Sequence, residues 1–289
     1  MQPMYQQPMR RQLDARRQHW QHGPIDLVIE AWGDADAIAR ASDAAWRRFE
    51  TVLPELVAEL ATLRQPVDAH MTLNGGVAQR MLAACRPHSA RFITPMAAVA
   101  GAVADEICAF FANHPNIVKA YVNNGGDIAL HLRASESLTI GVIDDPQKPQ
   151  QAGSVTITSS MPVRGVATSG WRGRSFSLGI ADSVTVLAAN AAAADAAATM
   201  IANAVNADHP GIVRVPANTL KDDTDLGARL VTVDVAPLPR AVVMHALHAG
   251  RAEARACAAR GLIDSALMLL QGAVPETRRT SAAALKLAA

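Results

Sequence analysis

The stretch IVKAYVNNGGDIALHL, residues 117–132, decides how the chain folds. Two short β runs, Val118–Val122 and Ile128–Leu132, flank Asn124-Gly125-Gly126-Asp127. Asn-Gly is the pair that a two-residue hairpin turn favours, because both central positions take positive φ. More short runs follow closely: Leu138–Ile143, Val155–Ser159, Val163–Thr168 and Val184–Leu187, with Asp144-Asp145-Pro146 as a further turn. Closely spaced strands without intervening helices pair antiparallel rather than as βαβ units.

On the N-terminal side, Ile25–Trp32 nearly alternates apolar and polar residues, the pattern of a half-buried strand. Asp34 can cap a helix that runs past Trp46 and Phe49, and Pro54 marks a break before a second helix, Glu55–Arg64. Gly75–Cys85 reads as another helix, and Thr94-Pro95 opens one with small residues around Gly101. On the C-terminal side lie a long alanine-rich helix, Ala191–Asn206, strands at Ile212–Val215 and Leu230–Val235, and helices at Val242–Arg260 and Leu262–Leu270. The expectation is an α+β fold, an antiparallel sheet flanked by helices. Residues 1–24 read as a polar arm, flexible or docked, whose Arg10, Arg11, Arg16 and Arg17 could touch an acidic partner. Residues 25–289 read as one domain.

Composition bounds the function. Half of the 289 residues are apolar, and 27 Lys+Arg against 26 Asp+Glu leave a formal charge of +1. A nucleic-acid binder would show a basic excess, so none is expected. No stretch approaches about 20 consecutive apolar residues, and the N-terminus has no apolar signal region, so the expected setting is cytoplasmic, away from membranes. Cys85, Cys108 and Cys257 lack CxxC or Cys/His ligand spacing, which argues against a disulfide scaffold or a structural zinc site. The alanine-rich helices offer a face on which a homodimer could pack.

Three segments could carry chemistry. Asn124-Gly125-Gly126-Asp127 could bring backbone N–H groups and a carboxylate to a ligand, or be only a hairpin turn. Thr168-Ser169-Gly170 with Arg172 and Arg174 could bind a phosphate-bearing ligand, or form a solvated tip. On the alanine-rich helix, Asp195, Thr199 and Asn203 are four residues apart and share a face. Carboxylate and hydroxyl oxygens suit Mg²⁺; alternatively Asp195 serves the helix dipole while Thr199 bonds back to the carbonyl of residue 195. Asp182 could join the same site or form a turn. His245 and His248 share a helical face, with a solvated or capping role. No nucleophile elbow, Walker loop or Rossmann glycine fingerprint occurs.

In order, FITPMAAVAGAVADEI (92–107), AYVNNGGDIAL (120–130), VATSG (166–170), RSFSLGIADSVTVLA (174–188), ADAAAT (194–199) and GLIDSALMLLQG (261–272) resemble the ApbE-like superfamily. The nearest resemblance is to its uncharacterised, non-lipoprotein branch. The resemblance implies an ApbE-like fold and the family's activity, a Mg²⁺-dependent flavin transfer from FAD that attaches FMN to a target protein. It implies that Asp195 and Thr199 match the metal-binding positions of the D-x-x-A-T helix, with Ala198 at its alanine. Asn124, Gly125, Gly126 and Asp127 are similar to the GGD ligand loop, and Thr168, Ser169 and Gly170 to the ATSG turn. The helix after Pro95 would approach the metal near Gly101. The chain departs from the pattern at Phe176-Ser177-Leu178, where Leu178 stands in place of the family histidine, and the D-P-x-T-G segment is missing. Three readings follow. One is an enzyme binding a flavin or other small phosphorylated ligand with Mg²⁺ and transferring or cleaving at the pyrophosphate. Another is a non-catalytic cofactor-binding or accessory protein for an oxidoreductase in small-ring or amino-acid catabolism. A third places Asp127 or Asp182 as a base toward another small substrate.

Overall fold

The computed structural model describes residues 6–143, 151–274, 276–278 and 285–287. The Asp144-Asp145-Pro146 turn lies outside them. The chain opens with strands β1 (Met9–Gln12), β2 (Gln18–His22) and β3 (Ile25–Gly33), then helices α1 (Ala35–Ala58), α2 (Leu60–Leu63) and α3 (Gly76–Cys85). A 3-10 turn at Pro95–Ala98 leads into α4 (Val99–Ala112), followed by β4 (Ile117–Asn124), β5 (Asp127–Leu132), β6 (Ser137–Ile143), β7 (Gln151–Thr158), β8 (Gly165–Ser169) and β9 (Ser183–Ala188). Then come α5 (Ala191–Ala204), β10 (Ile212–Pro216), α6 (Ala217–Leu220), β11 (Leu230–Val235), α7 (Arg240–Ala259), β12 (Ser265–Leu269), β13 (Glu276–Arg278) and β14 (Leu285–Leu287).

Nine strands form the main sheet in the order β1-β2-β3-β4-β5-β8-β9-β12-β13, every pairing antiparallel. A three-stranded sheet, β14-β7-β6, and a β10–β11 ribbon complete the described strands. This is the expected α+β class. One core packs β2, β3 and β4 against α1, α3 and α4 around Trp20, Phe49 and Phe111. A second joins β8, β9 and β12 to α5 and α7, and a third gathers Leu130, Leu132, Val155, Ile157 and Leu187.

Three expectations change. The folded part begins before Ile25: β1 and β2 extend the main sheet, and Trp20 is fully buried against Trp46 and Phe49. Arg10 serves this docking, bonding Asp43 Oδ1 and Ser42 Oγ at 2.7 Å each. Pro54 does not break α1, because Phe49, Val52, Leu53 and Leu56 continue one buried stripe across it. Each buried side chain contributes about 1.5–3 kcal/mol, enough together to offset an interior proline's cost of about 3 kcal/mol. Leu262–Leu270 is not a helix: Ser265–Leu269 is β12, buried along its whole length between β9 and β13. A strand covered on both faces reads as a continuous apolar run, which periodicity cannot tell from a buried helix.

One segment, Pro95–Ala112, has the length and hydropathy of a membrane span, with a mean hydropathy of 1.5 over 18 residues. In the fold its Ala102, Val103, Ile107 and Phe111 lie in the first core.

Candidate functional site

The site forms where the N-termini of α4 and α5 cross beneath the β4–β5 hairpin. Gly101 permits the crossing, since a Cβ there would stand 2.3 Å from the Ala191 carbonyl oxygen. At this contact each helix supplies an acid to the other. Asp195 of α5 accepts a hydrogen bond from the Gly101 N–H at 3.0 Å, and Asp105 of α4 accepts from the Ala191 and Ala192 N–H groups at 3.0 and 2.9 Å. A helix's first amides lack intrahelical partners and carry partial positive charge, so a carboxylate is their natural acceptor. Asn190 adds an N-cap to α5 through the Ala193 N–H, at 2.8 Å.

Asn124 ties the hairpin to the same place, its Nδ2 donating to the Ala100 carbonyl at 3.1 Å. The turn has the positive φ values its glycines allow, 64° at Gly125 and 115° at Gly126. The Gly126 N–H donates to Asn123 Oδ1 at 2.9 Å, so the turn satisfies itself there. Asp127 is buried and accepts from the Thr168 N–H at 3.2 Å, which joins β5 to β8. Thr168 also shares a hydroxyl contact with Thr185 at 2.9 Å. A Cβ on Gly125 would stand 3.3 Å from Arg174 Nη1, which places that guanidinium over the turn, where its charge acts on Asp127.

Asp127 and Asp195 sit in surroundings of low polarity, near enough for the charge of Asp127 to act on Asp195. Burial pushes the Asp127 carboxyl up, opposed by the Thr168 N–H and by Arg174. Burial raises Asp195 as well, Asp127's charge adds to the rise, and the Gly101 and Ala100 amides oppose it. A divalent cation would relieve the repulsion between them. The oxygens available, two carboxylates with the Thr199 hydroxyl one turn beyond Asp195, are the hard donors Mg²⁺ takes. These residues therefore fit the metal.

Other sequence candidates are used structurally. Asp182 is fully engaged, accepting from Trp171 Nε1 at 3.2 Å, Arg172 Nε at 2.8 Å and the Gln271 N–H at 2.6 Å, so it braces the Gly170 turn and is no free base. A Cβ at Gly170 would stand 2.5 Å from the Asp182 carbonyl oxygen, so the same bend requires glycine. Ser169 ends β8 in register with Val184. Asn203 accepts from the Leu178 N–H at 2.9 Å, which fixes the Phe176–Leu178 loop over α5. Thr94 stands at the N-cap position of the Pro95–Ala98 turn with Pro95 after it, but its side chain makes no capping bond: the hydroxyl donates to Asp225 Oδ2 at 2.5 Å, at one side of a cleft of about 500 Å³ lined by Arg64, Phe92 and Arg229. His245 and His248 do share a face, along a cleft beside α7. Asp105 was missed; its signal was an acidic pair, Asp105-Glu106, in an apolar run four residues after Gly101.

A family model described as AbpE bacteria matches residues 9–276. The chain belongs to this family. The match starts at β1, in keeping with the N-terminal hairpin being part of the fold. Among curated relatives, a UPF0280 protein of Methanopyrus kandleri is 39% identical over 204 residues, covering 68% of this chain and 78% of its own length. A UPF0280 protein of Methanothrix thermoacetophila is 33% identical over 175 residues, covering 56% of this chain and 70% of its own length. The crystal structure of the ApbE protein from Thermotoga maritima superposes with a TM-score of 0.54 at 13% identity, covering 95% of this chain and 97% of that one. The AbpE-family chain thus shares the ApbE fold.

Proposed function

We propose that this AbpE-family protein binds a flavin nucleotide through its phosphates, with Mg²⁺ held by Asp195, Thr199 and Asp127, and acts as a transferase or pyrophosphate-cleaving enzyme. The observation that carries the reading is the convergence of the Asn124–Asp127 turn, the α4 N-terminus and Asp195 on one point, in the family's order. Mg²⁺, when bound, would supply charge neutralisation to the pyrophosphate oxygens. Arg174 over Gly125 presents a guanidinium to the same phosphates, and such pairing is charge-assisted. Asp127 holds the Thr168 N–H and so fixes the turn against β8. At the exposed Gly126, with open space where a Cβ would stand, a ring can approach the backbone closely.

A second reading has its own observation. Leu178, where the family histidine would stand, cannot exchange a proton, and Asn203 locks its backbone in place. A protein that holds the flavin for a partner oxidoreductase needs only the binding half of the site. Titrating metal-stripped protein with FAD and FMN, with and without Mg²⁺, separates the readings. Mg²⁺-dependent binding with release of FMN or AMP supports the enzyme; binding with FAD recovered intact supports the carrier. If neither flavin binds, the proposal fails.

A further inference from the structure

Away from the crossing of α4 and α5, the turn that follows α3 meets the outer part of α7. His88 of that turn, and Glu253 and Cys257 one helical turn apart on α7, bring imidazole, carboxylate and thiol atoms within 4.8 Å of one another. His88 and Cys257 are 5% and 1% exposed, and the Cys257 thiol donates to Glu253 Oε1. Two guanidiniums surround the group: Arg91 pairs with Glu253 Oε1, and Arg260 donates to the Pro87 carbonyl.

We infer that His88, Glu253 and Cys257 form a site for Zn²⁺ or a similarly soft divalent ion, independent of the Asp195 centre. Zinc bonds of about 2.3 Å to sulfur and about 2.1 Å to oxygen, meeting at the tetrahedral angle, separate the two ligand atoms by about 3.6 Å. Cys257 Sγ and Glu253 Oε1 stand 3.6 Å apart. The i, i+4 spacing on α7 thus already holds one edge of a zinc tetrahedron, and the His88 ring, within 4.8 Å of both atoms, must move by at most about 1.5 Å to close the face. A thiolate and an imidazole select zinc over Mg²⁺, so the two sites sort their ions by ligand type. Binding displaces the Cys257 proton to solvent and leaves a ligand set of Cys⁻, Glu⁻ and neutral His against the 2+ ion, with water in the fourth position. The ion would tie α7 to the segment that leads into Thr94 and α4. Chain spacing concealed the site because His88 lies far from the α7 pair in sequence.

The test is Co²⁺ substitution of the metal-stripped full chain, followed by Zn²⁺ competition. The expected result is a cobalt–thiolate charge-transfer band that Zn²⁺ abolishes and Mg²⁺ does not. The band should persist in Asp195→Asn, so that failure here and failure of the flavin site remain distinguishable. Cys257→Ser should lose the band, and His88→Gln should weaken binding by at least the roughly 10–100-fold that loss of an outer metal partner costs. Arg91→Gln, which releases Glu253, should tighten it. A wild-type protein without the band overturns the assignment whatever the variants do, as does Zn²⁺ affinity unchanged in both Cys257→Ser and His88→Gln.

Discussion

Gly101→Ala tests the crossing of α4 and α5 because its sign differs from what helix propensity alone demands. In a helix interior the change should gain about 1 kcal/mol. Here the new Cβ would sit 2.3 Å from the Ala191 oxygen, 2.5 Å from its carbonyl carbon and 2.8 Å from the Ala192 nitrogen. These are backbone atoms, so no rotamer relieves them, and the helices must part by about 1 Å to reach ordinary carbon contact. Overpacking of this kind costs about 1–3 kcal/mol. The same movement stretches three carboxylate–amide bonds, now 2.9–3.0 Å, each worth about 1.5–3 kcal/mol when intact. Even a partial loss leaves a net destabilisation of about 2–4 kcal/mol. For a chain this long that lowers Tm by roughly 4–8 °C, read by calorimetry or circular dichroism. Mg²⁺-dependent flavin affinity should fall with it, since Asp195 moves relative to the Asn124–Asp127 turn. A Tm equal to or above that of the unmodified protein would refute the packing argument.

Asp195→Asn keeps an oxygen for the Gly101 N–H but removes the charge, so flavin binding should lose its Mg²⁺ dependence while the circular dichroism spectrum is retained; undiminished Mg²⁺ dependence would remove Asp195 from the metal site. Trp20→Ala should cost about 3–5 kcal/mol in urea unfolding, because the ring is fully buried between Trp46 and Phe49; a loss under 1 kcal/mol would mean that residues 9–22 are only an appended arm. Burial raises the Asp105 carboxyl despite two amide bonds. A raised folded value means stability present below the unfolded pKa, about 3.9, and lost as pH rises through the folded one. The stability of the unmodified protein relative to Asp105→Asn should therefore decline from about pH 4 upward, and a pH-independent difference would contradict it.

The antiparallel sheet was legible because its signals are local. Asn-Gly at 124–125 demands a hairpin wherever the rest of the chain goes, and short runs with no room for crossovers follow it. The segment 262–270 was not legible, since a strand buried on both faces has no alternation to read, and only its neighbours β9 and β13 settle its form. Asp195, Thr199 and the Asn124–Asp127 turn could be picked out from the chain, and the fold brings Asp195 and the turn together with Gly101 and Arg174. What spacing could not supply was the partner of each group. Asp182 reads as a spare carboxylate until Trp171, Arg172 and Gln271 close on it, and nothing in the Thr94-Pro95 helix start shows that the Thr94 hydroxyl reaches Asp225, 131 residues away.

The reciprocal capping bears directly on what the D-x-x-A-T helix means in this chain. Asp195 holds the first amides of α4, and Ala198 is fully buried in the second core, so both residues have a folding role before any metal arrives. A chain that gave up flavin transfer, with Leu178 in place of the proton-exchanging residue, would still need Asp195 to satisfy α4 and glycine at 101 to let α5 approach. Retention of that motif is therefore weak support for catalysis and strong support for the fold. The groups that discriminate are those the fold does not need. Thr199 is partly exposed, and Arg174 lies over the turn with its side chain open to solvent. Thr199→Val and Arg174→Ala should leave Tm nearly unchanged, as surface substitutions usually stay within about 0.5 kcal/mol. If the site works on a phosphate ligand with Mg²⁺, Thr199→Val should weaken the metal dependence, and Arg174→Ala should weaken FAD and FMN by about tenfold, the loss of one charge-assisted contact of about 1.5 kcal/mol. Flavin affinity indifferent to both changes would mean that the Asp195 crossing is scaffold alone.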